Sequence, residues 1–378
     1  MTDRRRSATV IRAAVFVAAL GLALGARSAT VGGQAAEVFA VLGVAVDVTA
    51  ENAAQAREQA LGEGTASAFR RLLERMTLRA HHGQLPKPGG NQIDTYVNDF
   101  SVAAEKTSAV RYLARLDFRF KAVDVRQLLI DYGLPFAETP SKPVLVLPVY
   151  QAAGALLLWD EPNPWREAWA QRPRTDSLVA LVLPQGDLSD IAAIGAEQAV
   201  GGDVQRLSAV SARYNSGDTL VAHAILRMGA GGRPDLEVST ARYGAPIQEQ
   251  RVVQTFSGEF GENLDDLLKR AAVELTLSIE DNWKQSNLLQ FGHSAVVAVT
   301  VPIGGLEDWL AVRRRLQGVA VLRNTELVLL SRDEVRINLH YIGELEQLAL
   351  ALEQTDLGLA RQGDDWILKL SGGGGNGR

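Results

Sequence analysis

Val144-Leu145-Val146-Leu147 is an apolar run closed off by Pro143 and Pro148. At that length, with two β-branched members, it reads as a strand buried on both faces and not as a helix. The prolines hold each flank extended and cannot donate to a ladder, so the strand is expected to end at them. Leu178–Leu183 is another continuous apolar run, and the two are expected to pair as central parallel strands. Helices and a β-meander follow, so residues 141–288 are expected to form an α/β layer domain of two or three layers.

Directly after the Val144 run comes Trp159-Asp160-Glu161-Pro162-Asn163-Pro164-Trp165-Arg166, and three of the six tryptophans fall within Trp159–Trp169. Asn163 is an expected helix N-cap and Pro164 an expected first helical residue. Tryptophan and arginine dominate binding hot spots. The expected binding patch is therefore Trp159, Asp160, Asn163, Trp165, Arg166 and Trp169, with Asp187 nearby. The competing reading is that these rings close a core beneath a loop. Asp160/Glu161 and Asp187/Asp190 also follow apolar strands, where an open α/β sheet places its ligand crevice. Two carboxylates there suit acid–base work on a glycan. Asp187 reads equally as an N-cap and Asp190 as a first-turn partner of the helix dipole.

The flanking segments are expected to be α+β. Glu37–Val48 reads as a strand. A long helix, Glu51–Thr77, follows with Thr49 as its cap and a small-residue face that permits close approach to a sheet. Phe100–Thr107 and Arg111–Phe120 are strands, the second alternating strictly, and Asp124 is expected to cap a short helix. Near the other end, Ala295–Val301, Leu306–Leu316, Val319–Leu330, Val335–Tyr341, Glu344–Glu353 and Leu357–Leu370 read strand, helix, two strands, helix, final strand pair. The second of these reads β-α-β-β-α-β, and the first does so with the Val144 strand, which could belong to it but is favoured for the middle unit; both are expected to be ferredoxin-like (split βαβ) modules, one over 36–140 and another over 289–370.

Arg4, Arg5, Arg6 and Arg12 precede an uncharged run, Ala13–Gly25, and then small residues, as in a secretory signal. Residues 1–35 are read as a signal peptide or N-terminal anchor, and 371–378 as a flexible Gly-rich tail. The chain is expected to be exported to the periplasm, or held at the inner membrane if the segment is retained. Loss of residues 1–28, with five Arg and one Asp, takes the net charge from −5 to −9. So acidic a body argues against nucleic acid, which demands concentrated Lys and Arg. Membrane contact is expected only through the N-terminal segment. With no cysteine, thiol chemistry and disulfides are excluded. His81-His82 lacks further ligands at metal spacing, and no nucleotide, zinc-protease or nucleophile motif occurs. No cofactor, metal or catalytic residue is expected.

The runs VDVTAENAAQAREQAL, AFRRLLERMT, YLARLDFRF, PVLVLPVY, LLWDEPNPWREAW and LVLPQGDLSD together resemble a family of exported proteobacterial proteins known as a domain of unknown function, number 2066. The resemblance implies an envelope protein and supplies no activity, cofactor or site residue. By element order alone, the middle segment looks like the α/β domains of periplasmic adaptor and lipoprotein activator proteins, an analogy of fold. The expected function is non-enzymatic binding or scaffolding of an envelope protein or cell-wall component. The alternatives are an envelope glycan hydrolase using Asp160 and Asp187, or a subunit anchored to an inner-membrane complex.

Overall fold

β1 (Ala40–Thr49) leads into α1 (Ala53–Met76), whose Ala56, Ala60, Gly64 and Ala68 recur every four residues on its buried face. A Cβ on Gly64 would lie 2.9 Å from Leu116 Cδ1 and 3.1 Å from Val46 Cγ1, so the helix rides close on the sheet only because that side chain is absent. The cap is Asn52, which accepts from Gln55 N at 2.9 Å. Thr49, the expected cap, is instead held in β1 opposite Arg111. The computed structural model describes residues 38–371 except 174–175, 230–232, 245–249 and 290–293. The expected signal segment and the Gly-rich tail lie outside the described residues, apart from Ser371.

α2 (Gly90–Ile93), β2 (Val97–Thr107), β3 (Arg111–Phe120) and α3 (Ala122–Asp131) complete the first unit. Its sheet is antiparallel in the order β1-β3-β2. Tyr112, Ala114, Leu116, Phe118 and Phe120 all point inward, as the alternation requires. α3 starts at Lys121 without a side-chain cap, and Asp124 lies inside its first turn.

The middle of the chain holds β4 (Val144–Ala152), β5 (Ala155–Leu157), α4 (Pro164–Gln171), β6 (Leu181–Val182), α5 (Leu188–Ala193), α6 (Ala196–Val200) and α7 (Val204–Arg213). β7 (Asp218–Met228), β8 (Pro234–Tyr243), β9 (Gln250–Ser257) and α8 (Leu264–Ser286) follow. The sheet order is β5-β4-β7-β8-β9, with β6 also paired to β4. β4 is buried on both faces. Val144 and Val146 join one apolar cluster with Trp165, Leu268 and Ala271, while Leu145, Leu147 and Val149 join a second with Ile194, Leu207 and Val210. The sheet therefore has helices on both sides: three layers.

Two expectations about β4 are corrected. Its central parallel partner is β7, and the Leu178 run supplies only the two-residue β6, parallel to Val144–Leu145. The strand also continues through Pro148, which aligns with Ala222. Its even-numbered residues turn their N–H groups away from β7, as Val144 N shows by donating to Ala180 O at 2.8 Å. On that side β6 stops at Leu145 and β5 begins opposite Tyr150. The missing donor of Pro148 thus faces a gap and costs no ladder bond.

The last unit contains β10 (Ser294–Pro302), α9 (Leu306–Leu316), β11 (Leu322–Leu330), β12 (Glu334–Ile342), α10 (Leu345–Gln354), β13 (Leu357–Gln362) and β14 (Asp365–Leu370). Its order is β11-β12-β10-β14-β13. Like the first unit, it places its third strand between the first and second. The fourth position departs from the expected module in both. The first sheet has only three strands, because β4 joins the middle sheet. In the last, β14 runs parallel to β10 and separates it from β13, because the tight hairpin after β13 folds back inward.

The segment between the first and middle sheets is buried and bonds to all three units. Phe136 bridges Thr77, and its carbonyl accepts from Leu289 N at 2.9 Å. Thr139 O accepts from Trp283 Nε1 at 2.8 Å. Glu138, 1% exposed, takes Arg126 of α3 at 2.6 Å and faces Arg323 of β11 at 3.7 Å. Lys142 pairs with Asp356 at 2.8 Å, and its N–H donates to Gln354 Oε1 at 2.8 Å. Burial lifts the Glu138 carboxyl above its ordinary value although both arginines oppose the shift.

Candidate functional site

The Pro-Trp helix predicted after Asn163 is α4. Asn163 caps it, its Oδ1 accepting from Arg166 N at 3.0 Å, while Nδ2 donates to Leu158 O at 3.3 Å. That double role turns the loop back on itself and buries Asn163 to 2% exposure. Trp165 and Trp169 point into the body and are 0% exposed. Trp165 Nε1 donates to Ala222 O on β7 at 2.9 Å, and the two rings meet edge to face at 5.8 Å. This corrects the sequence reading: Asn163, Trp165 and Trp169 cannot present themselves to a partner. With Pro164 at the first helical position, Trp165 and Trp169 sit four residues apart on one helix face, and that face covers the sheet.

What remains accessible is a narrower ledge. Trp159 is half-buried, its Nε1 donating to Ile194 O at 2.7 Å, with the Arg166 guanidinium 5.8 Å from its ring centre. Asp160 and Glu161 are exposed beside it, Glu161 lying 4.0 Å from Arg166. Arg166 also donates to the carbonyls of Pro184 and Gln185. It thereby joins Trp159 to the loop that ends in Asp187. Gly186 adopts positive φ there, and a Cβ would strike the guanidinium at 2.6 Å.

Asp187 caps α5, accepting from Ser189 N and Asp190 N at 2.9 Å each, and pairs with Arg213 at 2.6 Å. The Asp190 N–H, with help from Arg213 and Ser189, holds the Asp187 carboxyl below the usual carboxylate value. A carboxylate so held is a poor proton donor, which disfavours the acid role that glycan hydrolysis would ask of it. Asp190 is 0% exposed and accepts from Tyr214 Oη at 2.6 Å and Gly186 N at 2.8 Å. Burial, then the Asp190 bond, raises the Tyr214 phenol above its ordinary value. Arg213 and Tyr214 were missed in the sequence. They lie at the far end of α7, and no spacing rule links them to Asp187 and Asp190.

A second polar recess, about 580 Å³, lies between α1 and α8 and is lined by Arg75, Arg79, Asp281 and Lys284 among others. Arg75, Arg79 and Lys284 are already engaged. Arg75 donates to Val38 O, Ala40 O and Asp176, Lys284 to Glu74 O and Thr77 O, and Arg79 pairs with Glu274 and Asp281. Burial depresses Lys284 from its ordinary value. The recess reads as a polar seam between helices.

Of the histidines, His82 Nε2 lies 3.3 Å from Thr77 O and His223 Nε2 lies 2.9 Å from Gln151 Oε1. Among the described residues, no group of three metal-ligating side chains converges, and no helix is long and apolar enough to cross a membrane.

No protein-family model matches the chain, and no curated protein matches it. Among solved structures it is similar to a dodecamer of a PelC point variant from Paraburkholderia phytofirmans. Identity is 10% and the TM-score 0.25, over 38% of this chain and 90% of that one. A likeness at that score carries no argument about this protein.

Proposed function

We propose that the chain is an exported cell-envelope protein that binds a protein or cell-wall partner and serves as a scaffold. The observation that carries this reading is the ledge, where Trp159, Asp160 and Glu161 offer an indole edge beside two open carboxylates. The acidic groups behind it, Asp187 and Asp190, are committed to capping and ion pairing. The basic, then apolar, then small-residue N-terminal segment supports export. The same proposal includes membership of the exported family that the quoted runs resemble. It also takes the end units as ferredoxin-like variants, supported by the shared β-α-β-β-α order with the third strand central.

The test places a photo-crosslinking residue at Glu161 and, as control, at exposed Glu63 of α1, in cells producing the full chain. A discrete adduct from position 161 in the periplasmic fraction, lost with Asp160→Ala, is expected. Equal labelling from both positions, or a chain retained in the cytosol with an intact N-terminus, refutes the proposal.

A further inference from the structure

A groove of about 530 Å³ runs between α9 and β11, and its lining contains no carboxylate. Trp309, Arg313 and Gln317 recur every four residues, so they form one wall as a single helical stripe. The other wall is β11, whose register on β12 slips where Leu322 and Asn324 face the successive residues Tyr341 and His340. A bulge of this kind re-aims side chains. Arg323, Asn324 and Thr325 all line the groove, where an unbroken strand would turn alternate ones away.

The walls carry donors without partners. Among the described residues, no hydrogen bond or ion pair engages the side chains of Arg313, Gln317, Asn324 and Thr325. The same holds for the Nε1–H of Trp309, although that residue is only 7% exposed. Arg323 has Glu138 at 3.7 Å, beyond hydrogen-bond reach, and burial holds its guanidinium below the ordinary value. Arg313, Arg314 and Arg315 also occupy the last turn of α9, where cations offset the helix dipole. Three full charges exceed the roughly half charge of a helix end, so a positive surplus remains. In a chain with 44 acidic residues against 39 basic ones, an acid-free groove with two arginines attracts negative charge. Leu316 and Leu322 give the same groove an apolar part.

We infer that this groove binds a small organic oxyanion, a carboxylate or a phosphate monoester with a short apolar chain. Its oxygens accept from Arg313 and Arg323, and its chain lies on Leu316 and Leu322. Guanidinium forks match both head groups, and the volume suits a ligand of that size. The site shares no residue with the ledge, so failure of one reading leaves the other standing.

Isothermal titration of the full chain with sodium octanoate, octyl phosphate and uncharged octan-1-ol tests it. At least one of the two anions is expected to bind with Kd below about 1 mM, and the tighter of them names the head group. Octan-1-ol is expected to bind roughly tenfold more weakly or not at all. Arg313→Gln, at an exposed position without partners, should keep the circular dichroism melt of the wild type and weaken the anion by about tenfold or more. Gln317→Glu, which sets a carboxylate in the groove, should do the same, and it decides the matter if Arg313→Gln fails to fold. Binding of neither anion, equal binding of octan-1-ol, or an affinity unchanged in the folded variants overturns the inference.

Discussion

Replacing Trp165 by alanine tests where the tryptophans belong. The indole is fully buried, donates to Ala222 O at 2.9 Å and meets Trp169 edge to face. About 200 Å² of apolar surface at roughly 25 cal/mol/Å² gives about 5 kcal/mol, the upper end of what Trp→Ala changes cost in cores. The lost hydrogen bond to Ala222 O and the lost ring pair each contribute about 1 kcal/mol, partly offset by collapse around the cavity. A loss of about 5 kcal/mol rivals the whole stability of many domains. Trp159→Ala removes a half-buried ring with one bond to Ile194 O, and should cost about 2 kcal/mol. Urea unfolding followed by far-ultraviolet circular dichroism compares the two. The reasoning fails if Trp165→Ala shifts the midpoint no more than Trp159→Ala, because the packed face of α4 would then not support the middle sheet.

Other outcomes follow from the same contacts. Glu138 has its folded-state pKa raised above the ordinary 4.5, so the folded chain holds the extra proton between those values, and stability falls as pH rises through the raised one. Glu138→Gln should remove that slope in a pH series of urea midpoints; parallel curves for the two proteins would count against it. Gly64→Leu drives a side chain into Leu116 and Val46 and should cost about 3 kcal/mol by displacing α1 from its sheet, read as a lowered melting temperature. Tyr214→Phe strips the buried Asp190 of a 2.6 Å donor and frees Gln185 N. It should cost about 2 kcal/mol and speed proteolytic cleavage near Gln185, and an unchanged cleavage rate would show that the remaining bonds, from Arg166 to Pro184 and Gln185 and from Gly186 N to Asp190, hold the loop without Tyr214.

Much of the element order was legible because it rests on short-range rules. The alternation in Arg111–Phe120, the four-residue stripe of α1 and the Asn163-Pro164 start of α4 each act within a turn or two of chain. Their faces were legible as well: the double burial of β4 follows from its unbroken apolar run. What misled was chemistry that suits two settings. An indole beside an arginine marks a hot spot when exposed and a core when covered, and local sequence does not say which face of α4 meets the sheet.

The sequence by itself therefore determined the longer helices, most strands and the sidedness of their apolar faces, since periodicity and caps are local. Only the tertiary structure decided which strand β4 would adopt as neighbour, that Pro148 could sit mid-strand opposite a gap, and that β14 would slip between β10 and β13. It alone also brought Glu138 between Arg126 and Arg323, and Asp190 under Tyr214. Those outcomes depend on groups 12 to 185 residues apart competing for the same buried partners. No pattern along the chain records that competition.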